Sequence, residues 1–290
     1  MILYNLVEVK RMGMVLTAKG LGYLGPKGTF SHEAAIEYDK LSQYEYIEYT
    51  SFAHALAAVK SGDIHAAIVP IENSLEGAVN ATLDALAKED GLYIIDELIL
   101  SVNLHLAVKK GTCIEDVTCI LSHPQPLGQA RSYIEENLPT VQLFEERSTA
   151  KAAERVAQSA EACAAIVSKA AAKSYGLEII KSSIQDQDNN HTRFVIVAGK
   201  PANSTGNDKT SIVFSTNNTP GSLYRVLDIF SLWDINMTRI ESRPSKAMLG
   251  QYIFFIDIDG HEQDQDVHDA LTMVKRKASW FKHLGSYPRG

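Results

Sequence analysis

The chain is poor in cysteine, and the three it has, Cys113, Cys119 and Cys163, form no C-x-x-C pair. An odd count leaves one thiol unpaired, and the pattern is that of small buried side chains in a reducing cytosol. The nine histidines include no H-E-x-x-H spacing and no cysteine partner, so neither zinc nor another metal is expected. No Gly-Lys-Ser/Thr phosphate loop is present and no cofactor is expected. No apolar run reaches membrane-spanning length, which excludes a membrane partner. Positive charge is scarce as well: 28 Lys and Arg stand against 35 Asp and Glu, a net of -7. A nucleic-acid partner needs a basic face and is excluded on that ground. A small anionic substrate answers to local donors and is not. Solenoid-period repeats and low-complexity tracts are lacking too.

What is there has room for two or three domains. Short apolar runs at 21–24, 44–49, 66–69, 118–121, 141–144 and 164–167 alternate with amphipathic stretches at 31–39, 52–61, 81–88, 127–137, 150–160 and 169–175. The former predict strands and the latter helices. Their alternation predicts mostly parallel sheets covered on both faces. The long apolar stretch 92–108 breaks the rhythm and carries the chain from one lobe to a second, and strands at 177–180 and 192–197 return it. Two α/β lobes joined by a double crossover leave a cleft between them.

The expected domains are an extension over 1–18, a two-lobed unit over 19–200, a polar linker over 201–209 and a C-terminal unit over 210–290. The two lobes take about 19–100 with 180–200, and about 101–179. In the C-terminal unit, strands at 211–215, 236–241, 251–258 and 281–286 and helices at 223–232 and 267–278 spell βαββαβ, a small α+β ferredoxin-like domain. Glu8, Lys10 and Arg11 come too early for a secretory leader, and Met12 and Met14 are alternative starts. A cytoplasmic location is expected.

Four polar clusters sit where strands meet helices. G-P-K-G-T-F-S-H-E, residues 25–33, combines a glycine turn with candidate helix caps Thr29 and Ser31; free amides there suit an anion, or simply make a strand-turn-helix. V-P-I-E-N-S, residues 69–74, puts a carboxylate, an amide and a hydroxyl (Glu72, Asn73, Ser74) at a strand end, where open α/β sheets place ligands. A capped turn uses the same residues. L-S-H-P-Q-P-L-G-Q, residues 121–129, offers His123 and Gln129 beside prolines that open a helix. Finally Q-D-Q-D-N-N-H-T-R-F, residues 185–194, delivers Thr192 to a strand start; Arg193 reads as an interlobe tie or structural ion pair, and Phe194 as core. The C-terminal unit adds P-G-S-L (220–223) and E-S-R-P (241–244). The first opens a helix whose exposed amides suit an amino-acid carboxylate.

Taken together, G-P-K-G-T-F-S, P-I-E-N-S, S-H-P-Q-P-L-x-Q and T-R-F resemble, in order, the catalytic motifs of the prephenate dehydratases, and P-G-S-L with E-S-R-P resembles the signature of their regulatory ACT domain. The likeness runs from about Gly20 to Ser286. Where the family usually has Ala after Pro-Gly, this chain has Ser222. The resemblance implies a periplasmic-binding-protein-like, two-lobed catalytic domain followed by an ACT domain. It implies a monofunctional lyase that turns prephenate into phenylpyruvate for L-phenylalanine synthesis. Arogenate dehydratase is the alternative, and a non-catalytic amino-acid sensor a more remote one. By resemblance Thr192, Glu72, Asn73 and Ser74 are catalytic, and Gly28, Thr29, Ser31, Gln129, Arg193 and Phe194 bind substrate. Gly221, Ser222, Leu223, Asn236, Glu241 and Ser242 would hold L-phenylalanine as allosteric effector, in a dimer or tetramer built through the ACT domains.

Overall fold

The computed structural model describes residues 19–245 and 251–290; the expected extension over 1–18 lies outside them. The chain opens with β1 (Lys19–Leu24), α1 (Phe30–Tyr38), β2 (Tyr44–Tyr49), α2 (Phe52–Ser61), β3 (Ala66–Asn73), β4 (Gly77–Ala78), α3 (Asn80–Lys88) and β5 (Tyr93–Ser101). It continues with β6 (His105–Lys109), β7 (Cys119–Ser122), α4 (Pro124–Gln129), α5 (Arg131–Asn137), β8 (Gln142–Glu145), α6 (Thr149–Gln158), β9 (Cys163–Val167), α7 (Lys169–Ser174), β10 (Leu177–Lys181) and β11 (His191–Ala198). It closes with β12 (Asp208–Ser215), α8 (Ser222–Leu232), β13 (Met237–Pro244), β14 (Tyr252–Asp259), α9 (Gln265–Lys277) and β15 (Trp280–Pro288).

These strands form three sheets. The first has the order β2-β1-β3-β11-β5, with β4 paired to β3. The second runs β10-β6-β9-β7-β8. The apolar stretch 92–108 resolves into β5 of one sheet and β6 of the other, with Val102 and Leu104 buried at the crossing. The second crossing spans 182–190. It falls later than expected, because β10 pairs with β6 and belongs wholly to the second lobe. Both sheets are mixed rather than mostly parallel. β1 runs parallel to β2 and β3, whereas β11 is antiparallel to both β3 and β5. The double crossover is the reason. β3 and β5 end at the cleft and β11 begins there, so the returning strand must run against its neighbours.

Two local readings change. The single helix expected over 127–137 breaks at Ala130, whose φ of -114° and ψ of 19° lie outside the helical range. Asp186 supports the break: its N–H donates to the Gln129 carbonyl at 2.6 Å, and its carboxylate accepts from Ser132 N at 3.2 Å. The cysteines also differ from expectation. Cys119 and Cys163 lie opposite each other on neighbouring parallel strands, their Cα atoms 4.8 Å apart, and are joined in a disulfide; Cys113 is exposed and free. A separation of 44 residues hid a pairing that only strand register creates. Disulfides belong with oxidising surroundings, so cysteine usage gives no support to the cytosolic expectation. Among the described residues no helix is long and apolar enough to cross a membrane.

The third sheet, β13-β14-β12-β15, is wholly antiparallel, with α8 and α9 against one face. Ile212, Phe214, Ile256 and Ile258 meet those helices. The alternate residues Val213 and Phe255, with Leu284 and Tyr287, pack instead into the core of the first lobe, against Ile71, Leu83, Ile94 and Val195. Strands covered on both faces read as continuous apolar runs, which accounts for the run I-V-F in β12.

The seam is tight at Gly285, where φ is +141° and an added Cβ would stand 2.2 Å from the Ile94 carbonyl oxygen. Backbone cannot yield as a side-chain tip does. Gly285→Ala is expected to destabilise the chain by about 2–4 kcal/mol, through overpacking and an unfavourable φ. Thermal unfolding against the unmodified chain measures it.

Candidate active site

Thr192 is the second residue of β11 and is 9% exposed, between Asn73 of β3 and Leu100 of β5. The pairing of β11 with β3 skips one residue between Phe194 and Arg193: Phe194 lies opposite Pro70 and Arg193 opposite Glu72, which leaves Ile71 as the extra residue of a bulge. A bulge re-aims the side chains that follow it. Asn73 here turns to the face of Thr192, and its Nδ2 donates to Thr192 Oγ1 at 2.9 Å. The same nitrogen donates to Asn190 Oδ1 at 2.8 Å, and Asn190 Nδ2 donates to Gln129 Oε1 at 3.1 Å. These amides line a cavity of about 230 Å³ between the lobes, closed by Phe30, Val79, Val102, Leu104 and Pro126, with Gln125 and Glu76 at its wall. Phe30 packs against the cores of both lobes.

Among the described residues, the cavity wall carries hydroxyl and amide groups, one carboxylate and no lysine or arginine. Such a site holds an anion by hydrogen bonds without neutralising it. It offers no nucleophile beside a base, as acyl or phosphoryl transfer would need.

Of the residues singled out in the sequence, Thr192, Asn73 and Gln129 come together in this cavity. The others do not line it. Neighbours on a strand face opposite ways, and Glu72 and Arg193 turn from the cleft toward the C-terminal sheet, where Glu72 meets Arg239 at 3.3 Å. Ser74 ties the adjoining loop, donating to the Asn189 carbonyl at 2.6 Å and accepting from His191 N at 2.9 Å. Phe194 is 1% exposed in the core of the first lobe. Thr29 caps α1, accepting from His32 N and donating to the Leu24 carbonyl. The Gly28 N–H donates to His32 Nδ1 and its carbonyl accepts from Ser168, while a Cβ there would stand 2.9 Å from Ala171 Cα. This glycine therefore allows the second lobe's helix α7 to approach, and its amide is not free for substrate. Ser31 is buried in α1 outside the cavity wall. Asn190, Gln125 and Phe30 were not singled out; Asn190 stands two residues before Thr192 in a loop whose composition marks only a turn.

A family model described as prephenate dehydratase matches residues 21–202. The chain belongs to the prephenate dehydratase family. The prephenate dehydratase of Mycobacteroides abscessus is 41% identical over 276 residues, 92% of this chain and 89% of that one. A crystal structure of prephenate dehydratase from Arthrobacter aurescens in complex with L-Phe superposes with a TM-score of 0.85 at 36% identity, covering 93% of this chain and 90% of that one. Another solved structure, described as GqqA, a novel type of quorum quenching acylase, also gives 0.85, at 30% identity over 94% and 98% of the two chains.

In this dehydratase-family chain, Arg193 joins the first lobe to the C-terminal sheet. Its guanidinium donates to Glu97 at 2.6 Å, to Asp257 at 2.6 Å and to the Tyr287 hydroxyl at 2.8 Å. Glu97 also accepts from Lys209 Nζ at 2.7 Å, and Asp257 from Ser211 Oγ at 2.6 Å. Burial alone would raise the Asp257 pKa, but Arg193 above all, then Arg239 and Ser211, hold it below its ordinary 3.8. Burial pushes the Tyr287 hydroxyl well up, with the Asp257 charge adding to it.

A second cavity, of about 370 Å³, lies where α8 begins. Gly221, Ser222 and Leu223 line it with Tyr252 and Phe254, and Ser222 Oγ shares a hydrogen bond with Thr219 Oγ1 at 2.6 Å. Glu241 and Ser242 stand beside Phe255 and Phe254 on β13 but outside its wall. Asn236 precedes the opposite end of β13, donating to Asp259 at 3.0 Å, so a single chain does not bring it to this cavity.

A depressed folded-state pKa means that the unfolded chain takes up the proton first. The stabilisation from Asp257 is complete above 3.8 and is lost as pH falls through the lower folded value. Asp257→Asn leaves Arg193 underpaired and is expected to cost about 3–5 kcal/mol at neutral pH. The gap from the unmodified chain should narrow below about pH 4, as denaturant melts at the two pH values measure.

Proposed function

We propose that this chain removes carbon dioxide and hydroxide from prephenate in the interlobe cavity, yielding phenylpyruvate, with Thr192 donating a hydrogen bond to the departing hydroxyl. The observation that carries this reading is the fixed amide of Asn73. It occupies a lone pair of Thr192 Oγ1, which leaves the threonine proton to be donated elsewhere. Prephenate dianion gives phenylpyruvate monoanion, carbon dioxide and hydroxide, so charge leaves with the ring oxygen and a donor there acts in the transition state. A threonine hydroxyl is too weak an acid to give up its proton outright at neutral pH, and donation without full transfer suffices. The absence of cations from the cavity wall serves the same step. A carboxylate held by arginine would be stabilised in the ground state, whereas neutral donors let it lose its charge as carbon dioxide.

The names of the curated relatives favour prephenate over arogenate. The neighbour described as an acylase raises amide hydrolysis as a second reading. A serine-histidine-glutamate file, in which His283 stands 3.3 Å from Ser286 Oγ and 3.5 Å from the Glu262 carboxylate, has its serine 1% exposed, which weighs against it.

The same reading takes the βαββαβ unit as an ACT domain and L-phenylalanine as its effector. It places self-association on the edge strand β13, where Met237 and Ile240 are exposed, and the enzyme's work in the cytoplasm. Support comes from the cavity at Gly221 to Leu223 and from the phenylalanine-bound structure of the Arthrobacter relative.

Thr192→Ala is expected to lower kcat on the order of 10²-fold with a smaller change in KM, as for loss of one preorganised donor. Phenylpyruvate formation from prephenate measures it, and a full-rate variant overturns the role. In the same assay saturating L-phenylalanine should suppress turnover of the unmodified chain; unchanged turnover removes the effector reading and leaves the enzyme.

A further inference from the structure

Asn190 sits on the second interlobe crossing and is 3% exposed, its carbonyl accepting from Val102 N at 2.8 Å. Its side chain touches one amide from each lobe, Asn73 and Gln129. Hydrogen-bond logic then fixes the direction of every link. Asn73 Oδ1 receives the backbone N–H groups of Leu75 and Glu76, each at 3.0 Å. Backbone N–H groups require an acceptor, so that atom is the oxygen and the amide cannot be reversed. Asn73 Nδ2 has two hydrogens, and its shortest contacts are Asn190 Oδ1 at 2.8 Å and Thr192 Oγ1 at 2.9 Å. The third oxygen near it, the His191 carbonyl at 3.2 Å, already accepts from Ser74 N. Asn190 must therefore turn oxygen toward Asn73 and nitrogen toward Gln129. Gln129 must then turn its oxygen back, which frees Nε2 to donate.

We propose that Asn190 is a positioning residue for the lyase reaction: it carries the fixed polarity of Asn73 across the cleft, so that Thr192 from one lobe and Gln129 from the other both present hydrogens to the substrate. The proposal rests on the prephenate reading given above. It explains how a cavity wall with no lysine or arginine among its described residues holds a dianion: the Thr192 hydroxyl and the Gln129 amide both turn hydrogens inward. A residue that fills space without both an acceptor and a donor would leave the Gln129 amide free to rotate.

The test compares kcat/KM for prephenate between the unmodified enzyme and Asn190→Asp, from about pH 5 to about pH 9. Aspartate keeps the acceptor toward Asn73, but as a carboxylate it has no hydrogen for Gln129. The expected loss is about 10- to 100-fold at the alkaline end. The ratio of variant to unmodified enzyme should rise as pH falls, because the protonated carboxyl regains a donor. Glu76 on the cavity wall, Asp186 and Asp188 on the same crossing and His191 beside it are common to both enzymes, as is the substrate, so only the new carboxylate differs between them. A purely packing role gives no such slope.

A second measurement uses the cycle of Asn190→Ala, Gln129→Ala and the double variant. The double should lose no more than the worse single, as for residues acting in series. Asn190→Asp at the unmodified rate, a ratio flat across pH, or additive losses in the cycle each overturn the proposal. Should Asn190→Asp fail to fold, the cycle decides alone. An unmodified chain that does not turn over prephenate would instead overturn the functional reading itself, a result told apart by the control reaction.

Discussion

The Arg193 guanidinium is the fixed point of this molecule. It is largely buried, and it reaches two carboxylates and a phenol on three strands, two of them in the C-terminal sheet. Removing such a charge from water costs several kcal/mol, which only close and complete pairing offsets. The partners are accordingly held themselves, Glu97 by Lys209 and Asp257 by Ser211. Because Thr192 is the preceding residue on the same strand, the link that docks the C-terminal sheet also sets the height at which the threonine hydroxyl meets the cleft. Strand alternation separates the two tasks by one peptide.

The two faces of β11 differ in dielectric character as well as direction. On one side, full charges are paired inside a packed seam. On the other, neutral dipoles face a cavity. On the proposed reading, the arrangement keeps the strong field of the ion pairs off the reacting carboxylate, where a nearby cation would hold the charge that has to disappear. A binding pocket for a dianion would ordinarily be expected to contain arginine. Here Arg193, next to Thr192 in the chain, is turned away.

Much of this architecture was legible in the sequence because burial leaves a pattern. Alternating apolar runs and amphipathic stretches located nearly every strand and helix, and the shift after residue 200 exposed the βαββαβ unit. Thr192, Asn73 and Gln129 lay in short strings that spacing made recognisable. What failed depended on register or on facing. Glu72 and Asn73 are neighbours in sequence, and only the bulge at Ile71 decides which one meets the cleft. Cys119 and Cys163 pair because β7 and β9 align, a relation with no local signature. The break at Ala130 depends on Asp186, far along the chain. Asn190 was hidden for another reason: asparagine in a loop is favoured for its turn chemistry, so composition cannot separate a turn residue from one that bridges two lobes.

The seam between the C-terminal sheet and the first lobe has a mechanical meaning. Their shared core includes Val213, Phe255 and Leu284 alongside Ile71, Leu83 and Ile94, and holds no residue of the second lobe. The molecule is thus a frame and a jaw. First lobe and C-terminal sheet make the frame, and the second lobe is the jaw, carried on the crossings at 102–104 and 182–190. Whatever strains the frame reaches the jaw as a turning force through those two short lengths of chain, one of which contains Asn190, and through the contact of the Gly28 turn with α7.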